Sequence, residues 1–189
     1  MRPPPLPLLV YLLGAPGVGK STLMRRLTAR CERRPVAGVS VPHELLIKTM
    51  PALGPNTVGA EIGRTRTSFS GTDATAMNIH PRAMAWIMGV PYGLVLAEGA
   101  RLGTVQFLGA AQFAGYRLRV FHLVAAPAVI ADRRAGRPGS QNPSWVAGAT
   151  TRAARTAEAV GATRLDASQP PGVLADQVRY LVPELETLR

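Results

Sequence analysis

The sequence predicts an α/β fold, a parallel β-sheet with helices on both faces, in one domain spanning 1–189. Three observations carry that prediction. Short apolar runs of buried-strand type recur at 8–13, 93–97 and 116–125. Stretches of helical length and spacing lie between them, so strands alternate with helices. The first run also ends directly on Gly14-Ala15-Pro16-Gly17-Val18-Gly19-Lys20-Ser21, which fits the phosphate-binding pattern of Gly, four residues, Gly-Lys-Ser/Thr.

Taken in order, Pro3, Pro4, Pro5 and Pro7 make residues 1–7 a Pro-rich flexible lead and break any signal-peptide pattern. Leu8 to Leu13 is the first strand. Leu23, Met24, Leu27 and Cys31 form the apolar stripe of the helix that follows Ser21. Val36 to Val41 reads as a second strand stopped by Pro42, and 43–50 as a short helix closed by Pro51. Residues 57–73, rich in Gly, Thr and Arg, read as a hairpin or an ordered loop over the active face.

Pro81 opens a helix over 82–88. Gly93 to Ala97 is a buried strand ending in Glu98-Gly99, and 104–114 a helix. Tyr116 to Ala125 is a strand, and Pro127 starts a helix ending in Arg133, Arg134, Gly136 and Arg137. A further helix spans 144–160. Thr163 to Ala167 is the last strand, and Val173 to Leu181 the closing helix.

Composition narrows the function. At 47% hydrophobic residues the chain is long enough to bury a core. Its single Cys31 excludes a disulfide framework and points to a reducing cytoplasm. No segment is long and apolar enough to span a membrane. The net charge of +11 is almost all arginine, because lysine stands only at 20 and 48. Arginine's planar fork suits phosphate, so the charge favours a phosphorylated or polyanionic substrate; a GC-rich genome gives the same composition.

The loop explains its own spacing. Glycines let successive N–H groups of 14–19 curl inward around a polyphosphate, with the positive end of the new helix behind them. Gly14, Ala15, Pro16, Gly17, Val18, Gly19, Lys20, Ser21 and Thr22 are thus the expected ATP-binding residues. Lys20 supplies a cation for the β- and γ-phosphates, and the Ser21 hydroxyl joins the Mg²⁺ shell. Glu98, at a strand's carboxyl end where ligands gather in such sheets, is placed to share that shell or to take a proton from an attacking hydroxyl; a water-exposed strand cap is its bland alternative.

Asp73 reads either as a catalytic and acceptor-binding carboxylate or as a turn former. Arg64 and Arg66 are candidates for an acceptor phosphate or for a solvated edge. Arg133 and Arg137, with Arg152 and Arg155 beyond them, bracket a Gly/Pro/Ser/Asn loop, so about 133–155 reads as a lid whose arginines neutralise transferring phosphates; a solvated arginine-rich surface is the alternative. His43, His80 and His122 lack metal-ligand spacing, and His122 reads as a core histidine.

These residues support a resemblance. Gly14 to Ser21, Glu98-Gly99 and Ala126-Pro127 leading to Arg133, Arg134 and Arg137 resemble the nucleoside monophosphate kinase group of P-loop kinases. Gly71-Thr72-Asp73 before Trp86, and Trp145 leading to Arg152 and Arg155, are similar to small bacteriophage P-loop kinases. The resemblance implies a three-layer P-loop NTPase fold with five parallel strands and an Arg-bearing lid. It implies ATP and Mg²⁺ as cofactors, and the cytoplasm of a bacterial host if the chain is phage-encoded. The Asp-Arg-Tyr/His signature of thymidylate kinases is missing; Glu98-Gly99-Ala100-Arg101 stands there instead.

Three functions remain open at this level. One moves the ATP γ-phosphate to a (deoxy)nucleotide. Another puts the acceptor in modified DNA, phosphorylating a hydroxymethylated pyrimidine such as 5-hydroxymethyluracil. A third is an ATPase switch or assembly factor with no acceptor. A homodimer also stays open.

Overall fold

The structure is a computed structural model that describes residues 6–50, 54–64, 70–136 and 142–189. Among them are seven strands: β1 (Leu8–Gly14), β2 (Glu32–Pro35), β3 (His43–Met50), β4 (Gly54–Ile62), β5 (Leu94–Glu98), β6 (Arg117–Val124) and β7 (Thr163–Asp166). Helices are α1 (Lys20–Leu27), α2 (Ile79–Met88), α3 (Val105–Phe113), α4 (Pro127–Ala135), α5 (Pro143–Ala159) and α6 (Pro171–Leu181). Short 3₁₀ turns at Thr72–Ala74 and Pro183–Leu188 complete the described elements.

All seven strands form one sheet in the order β2-β3-β4-β5-β1-β6-β7. The five from β4 to β7 in that order are mutually parallel, as the resemblance implies. The sheet is nevertheless seven strands wide, because β3 pairs antiparallel with both β4 and β2. Every residue of β1 is buried, which is why it reads as a continuous apolar run rather than an alternating one.

The two faces of β1 build two cores. Leu8, Val10 and Leu12 pack with Leu23 and Leu27 of α1 and Leu174 and Val178 of α6. Leu9, Tyr11 and Leu13 pack with Ile87 of α2, Phe107 and Leu108 of α3 and Ala157 of α5. The sheet is thus the middle of three layers.

The extra strands overturn three sequence expectations. Residues 43–50 are a strand and not a helix: a short apolar run such as Leu45-Leu46-Ile47 satisfies both templates, and here ladder partners on both sides decide. Residues 36–41 are a connection and not a strand. Gly38, at φ 71°, turns the chain so that the Val36 N–H reaches the His43 carbonyl at 3.1 Å, and Val41 is buried without a ladder. In the stretch 57–73 the residues up to Ile62 belong to β4, Arg64 and Gly71 form a bridge, and 65–69 lie outside the described residues.

Two boundaries also differ. The first helix stops at Leu27, before Cys31, as the Thr28 hydroxyl turns back to the Met24 carbonyl at 3.0 Å. The second begins at Ile79, with Pro81 inside its first turn, where no N–H is needed. Of the Pro-rich lead, 1–5 lie outside the described residues. Pro7 already accepts from the Arg117 N–H at 2.8 Å, which puts it at the sheet.

Candidate active site

The loop after β1 is built as its spacing requires. Gly14 has φ +145°, and a Cβ there would sit 2.6 Å from the Leu123 carbonyl oxygen on neighbouring β6. Gly17 has φ +92°, and a Cβ would meet the Arg134 stem at 2.5 Å. Neither position accommodates a side chain without movement. Residues 14–18 are buried, Gly19 is half-buried, and Ser21 and Thr22 open the first turn of α1. The Lys20 ammonium donates to the Gly14 carbonyl at 3.0 Å and the Ala15 carbonyl at 3.1 Å, which holds it across the loop.

Glu98 ends β5, whose register sets it beside Leu12 of β1. It is only 2% exposed. The Ser21 hydroxyl donates to Glu98 Oε1 at 2.7 Å. Ser70 completes a ring: its hydroxyl lies 2.7 Å from Ser21 Oγ and 3.2 Å from Glu98 Oε1. Burial pushes the Glu98 carboxyl above its ordinary value; Lys20 and the Ser21 hydroxyl oppose that, and Asp73 adds to it. Glu98 is therefore a buried carboxylate within the field of the loop cation and not a water-exposed cap.

Asp73 lies on the same side of β1 as Glu98. Its Oδ1 accepts from the backbone N–H groups of Ala100 at 2.9 Å and Arg101 at 3.0 Å, which clamps the approach to α2 onto the β5–α3 connection. The turn role is thus realised, while Oδ2 has no hydrogen-bond partner among the described residues. Under this clamp the buried Tyr11 hydroxyl donates to the Gly99 carbonyl at 3.0 Å and lies 3.4 Å from Thr72 Oγ1.

On the other side of β1 lies a pocket of about 270 Å³ lined by Gly17, Val18, Thr22, Leu23, Arg133 and Pro171, among others. Arg133 closes it as a fixed brace. Its guanidinium donates to the Val18 carbonyl at 3.0 Å and the Ala167 carbonyl at 2.9 Å, stapling α4 to the loop and to the end of β7. In this structure Arg133 is docked on the loop. Arg137 and Arg66 lie outside the described residues.

The proposed acceptor arginines are less gathered. Arg64 is exposed at its bridge to Gly71. Arg152 and Arg155 are exposed on α5, and neither makes an ion pair among the described residues. Sequence reading missed Ser70, Tyr11 and the bracing role of Arg133. Ser70 sits next to the Gly71-Thr72-Asp73 turn, which is the one local signal that could have drawn attention to it.

Mg²⁺ fits the hydroxyl and carboxylate oxygens present. Such an ion keeps several waters and takes only one or two protein ligands besides substrate phosphates. Ser21, Glu98 and, through water, Ser70 are the residues that would hold it. Among the described residues no group of three or more His, Cys, Asp or Glu is arranged for an all-protein metal cage.

A mostly parallel sheet with a glycine loop after the middle one of its five parallel strands, a buried lysine and a half-buried serine at the loop's end and a carboxylate on the adjacent strand define a P-loop protein of the kinase class. The match to the family described as P-loop Nucleotide Kinase3 spans residues 7–174, and the chain belongs to that family. No curated protein matches it by sequence. Among solved structures it is similar to an unliganded sugar kinase from Janibacter sp. HTCC2649, with TM-score 0.56 and 13% identity over 96% of this chain and 98% of that one. It is similar also to the Deinococcus radiodurans tunicamycin resistance protein, with TM-score 0.50 and 16% identity over 93% and 95%. A gluconokinase from Sinorhizobium meliloti 1021 aligns with TM-score 0.48 and 16% identity over 96% and 93%. At these identities the likeness to solved structures is one of fold.

Proposed function

We propose that this kinase moves the γ-phosphate of ATP to a (deoxy)nucleotide acceptor. The observation that carries the reading is the arrangement around β1. A base-sized pocket lies toward β7, Lys20 and the Ser21–Glu98 pair stand at the centre, and Asp73 lies toward β4. Donor and acceptor can therefore approach the loop from opposite sides, as in-line transfer requires.

In the step itself the acceptor oxygen forms a bond to the γ-phosphorus while the bond to the β-phosphate oxygen breaks and ADP leaves. The acceptor's proton passes to Glu98, whose burial raises its affinity for protons. Lys20 and the loop N–H groups offset the charge on the phosphate oxygens. Mg²⁺, which Ser21 and Glu98 would hold, would supply further positive charge against the phosphate oxygens.

The net charge of +11 favours a second reading, in which the acceptor is a hydroxymethylated pyrimidine in DNA. The two separate by salt dependence, since DNA binding through arginines releases counterions and falls steeply between about 50 and 200 mM salt. The experiment is transfer of labelled γ-phosphate to nucleotides and to normal or hydroxymethylated DNA across that range. Efficient transfer to a free monophosphate with a flat salt response is expected. Transfer to DNA alone, with a steep slope that Arg152→Ala or Arg155→Ala reduces by about one, would sink the nucleotide reading. Lys20→Ala is the control that must abolish transfer to either.

A further inference from the structure

The outer surface of α2 and α3 differs in chemistry from the rest of the molecule. Both helices lie on one face of the sheet, pack side by side and bury Ala83, Ile87, Phe107 and Leu108 in the second core. Their outward apolar residues have no such cover. Phe113 is 84% exposed, and Met88, Val90 and Val105 are exposed as well. The Tyr116 hydroxyl donates to the Tyr92 carbonyl at 2.7 Å, which ties together the segments leaving the two helices and gathers Met88, Val90 and Phe113 at one end. A surface helix ordinarily carries charge on its outward side. Here α3 has no charged residue and α2 has one, Arg82. Gly109 lies mid-helix on the open side of α3, where an added Cβ would meet nothing within 4 Å. Glycine there costs about 0.5–1 kcal/mol relative to alanine, which close approach of another backbone would offset.

Charge decides what covers this face. The formal net charge is +11, and exposed arginines stand on other helices, Arg25 and Arg26 on α1 and Arg152 and Arg155 on α5. Two copies meeting through those surfaces would set arginine against arginine. An acidic partner or an anionic membrane would be drawn to the same arginines, and so away from the neutral face. An uncharged apolar face is matched by another of its kind, and a second copy of this chain supplies one. We infer that the α2–α3 face is the interface of a twofold homodimer, which buries Met88, Val105 and Phe113 of both copies and lets the two α3 helices approach at Gly109. Neither helix carries a residue placed in the phosphotransfer machinery, so the inference stands apart from the choice of acceptor.

The test is sedimentation velocity over about 1–100 µM, in low and high salt, for wild type, Phe113→Arg, Gly109→Gln and Tyr180→Arg, with melting temperature and ATP binding measured alongside. Wild type should be a dimer at the upper end of that range. Salt should leave the dimer intact or tighten it, because screening weakens the repulsion between two positive copies. Phe113→Arg should raise the dissociation constant by about thirtyfold or more, with ATP binding kept. Gly109→Gln, which adds bulk but no charge on the same side, should weaken the dimer too. Tyr180→Arg, at an equally exposed aromatic on α6, should leave it unchanged. Wild type that stays monomeric throughout overturns the inference. So does a dimer that salt dissolves, or one that Tyr180→Arg breaks and Phe113→Arg does not. A monomer that binds neutral phosphatidylcholine vesicles through Phe113 would give the face to lipid and overturn the inference as well.

Discussion

The Ser21 hydroxyl donates to Glu98 Oε1 at 2.7 Å, joining the last residue of the glycine loop motif to the carboxylate that ends the neighbouring strand, 77 residues away in sequence. On the proposed function this carboxylate would either join a Mg²⁺ shell or take the acceptor's proton. Glu98→Gln keeps the shape and removes the charge. It should lower kcat by about 10²–10⁴ and raise the Mg²⁺ concentration needed for half-maximal rate. Mn²⁺ binding by the ATP complex, followed by electron paramagnetic resonance, should weaken in parallel. Full activity across a magnesium titration would remove Glu98 from both roles.

Gly14 and Gly17 separate two costs of a side chain in the loop. Alanine at either adopts a left-handed backbone at about 1–2 kcal/mol. At Gly17 the colliding atom is the flexible stem of Arg134, which can swing away, but at Gly14 it is a carbonyl of the central sheet. Gly14→Ala should therefore lose clearly more stability than Gly17→Ala in denaturant melts. The reverse order would mean the loop, not the sheet, yields.

Glu61 supplies a pH dependence. It is buried on β4 against Arg33, and burial raises its carboxyl to about 7 in spite of that partner. Folding therefore binds a proton that the unfolded chain has released above its ordinary value of 4.5. The stabilising effect is complete below that value and is lost as pH rises through 7, by up to about 3 kcal/mol. Glu61→Gln should gain on wild type between pH 5 and pH 8 in thermal melts. A difference that stays constant with pH would show that Glu61 is ionised throughout.

Arg133 is expected to act through the loop and not through closure. Arg133→Met leaves the Val18 and Ala167 carbonyls without their donor, at a cost of about 1–3 kcal/mol. Melting temperature should fall without ligand, and ATP should bind more weakly by titration calorimetry. Unchanged stability with a purely kinetic defect would restore the lid role.

The phosphate-binding loop, its strand and its helix were legible because everything that specifies them is local. Glycines sit where the backbone needs positive φ, an apolar run of seven is buried on both faces, and lysine and serine follow at fixed positions. Glu98 was legible for a related reason, since an acidic residue closing an apolar strand stands at the edge where ligands collect.

The tertiary structure decided what depends on partners distant in sequence. Residues 43–50 became a strand only because β2 and β4 offer ladders on both sides, and without those neighbours the same letters suit a helix. One oxygen of Asp73 was committed by N–H groups at 100 and 101, and Arg133 by carbonyls at 18 and 167. Ser70 entered the site only when the fold brought it to Ser21. In each case the residue type permits several roles. The choice among them is a free-energy difference set by which hydrogen-bonding groups and apolar surfaces arrive next to it, and only the folded chain brings those together.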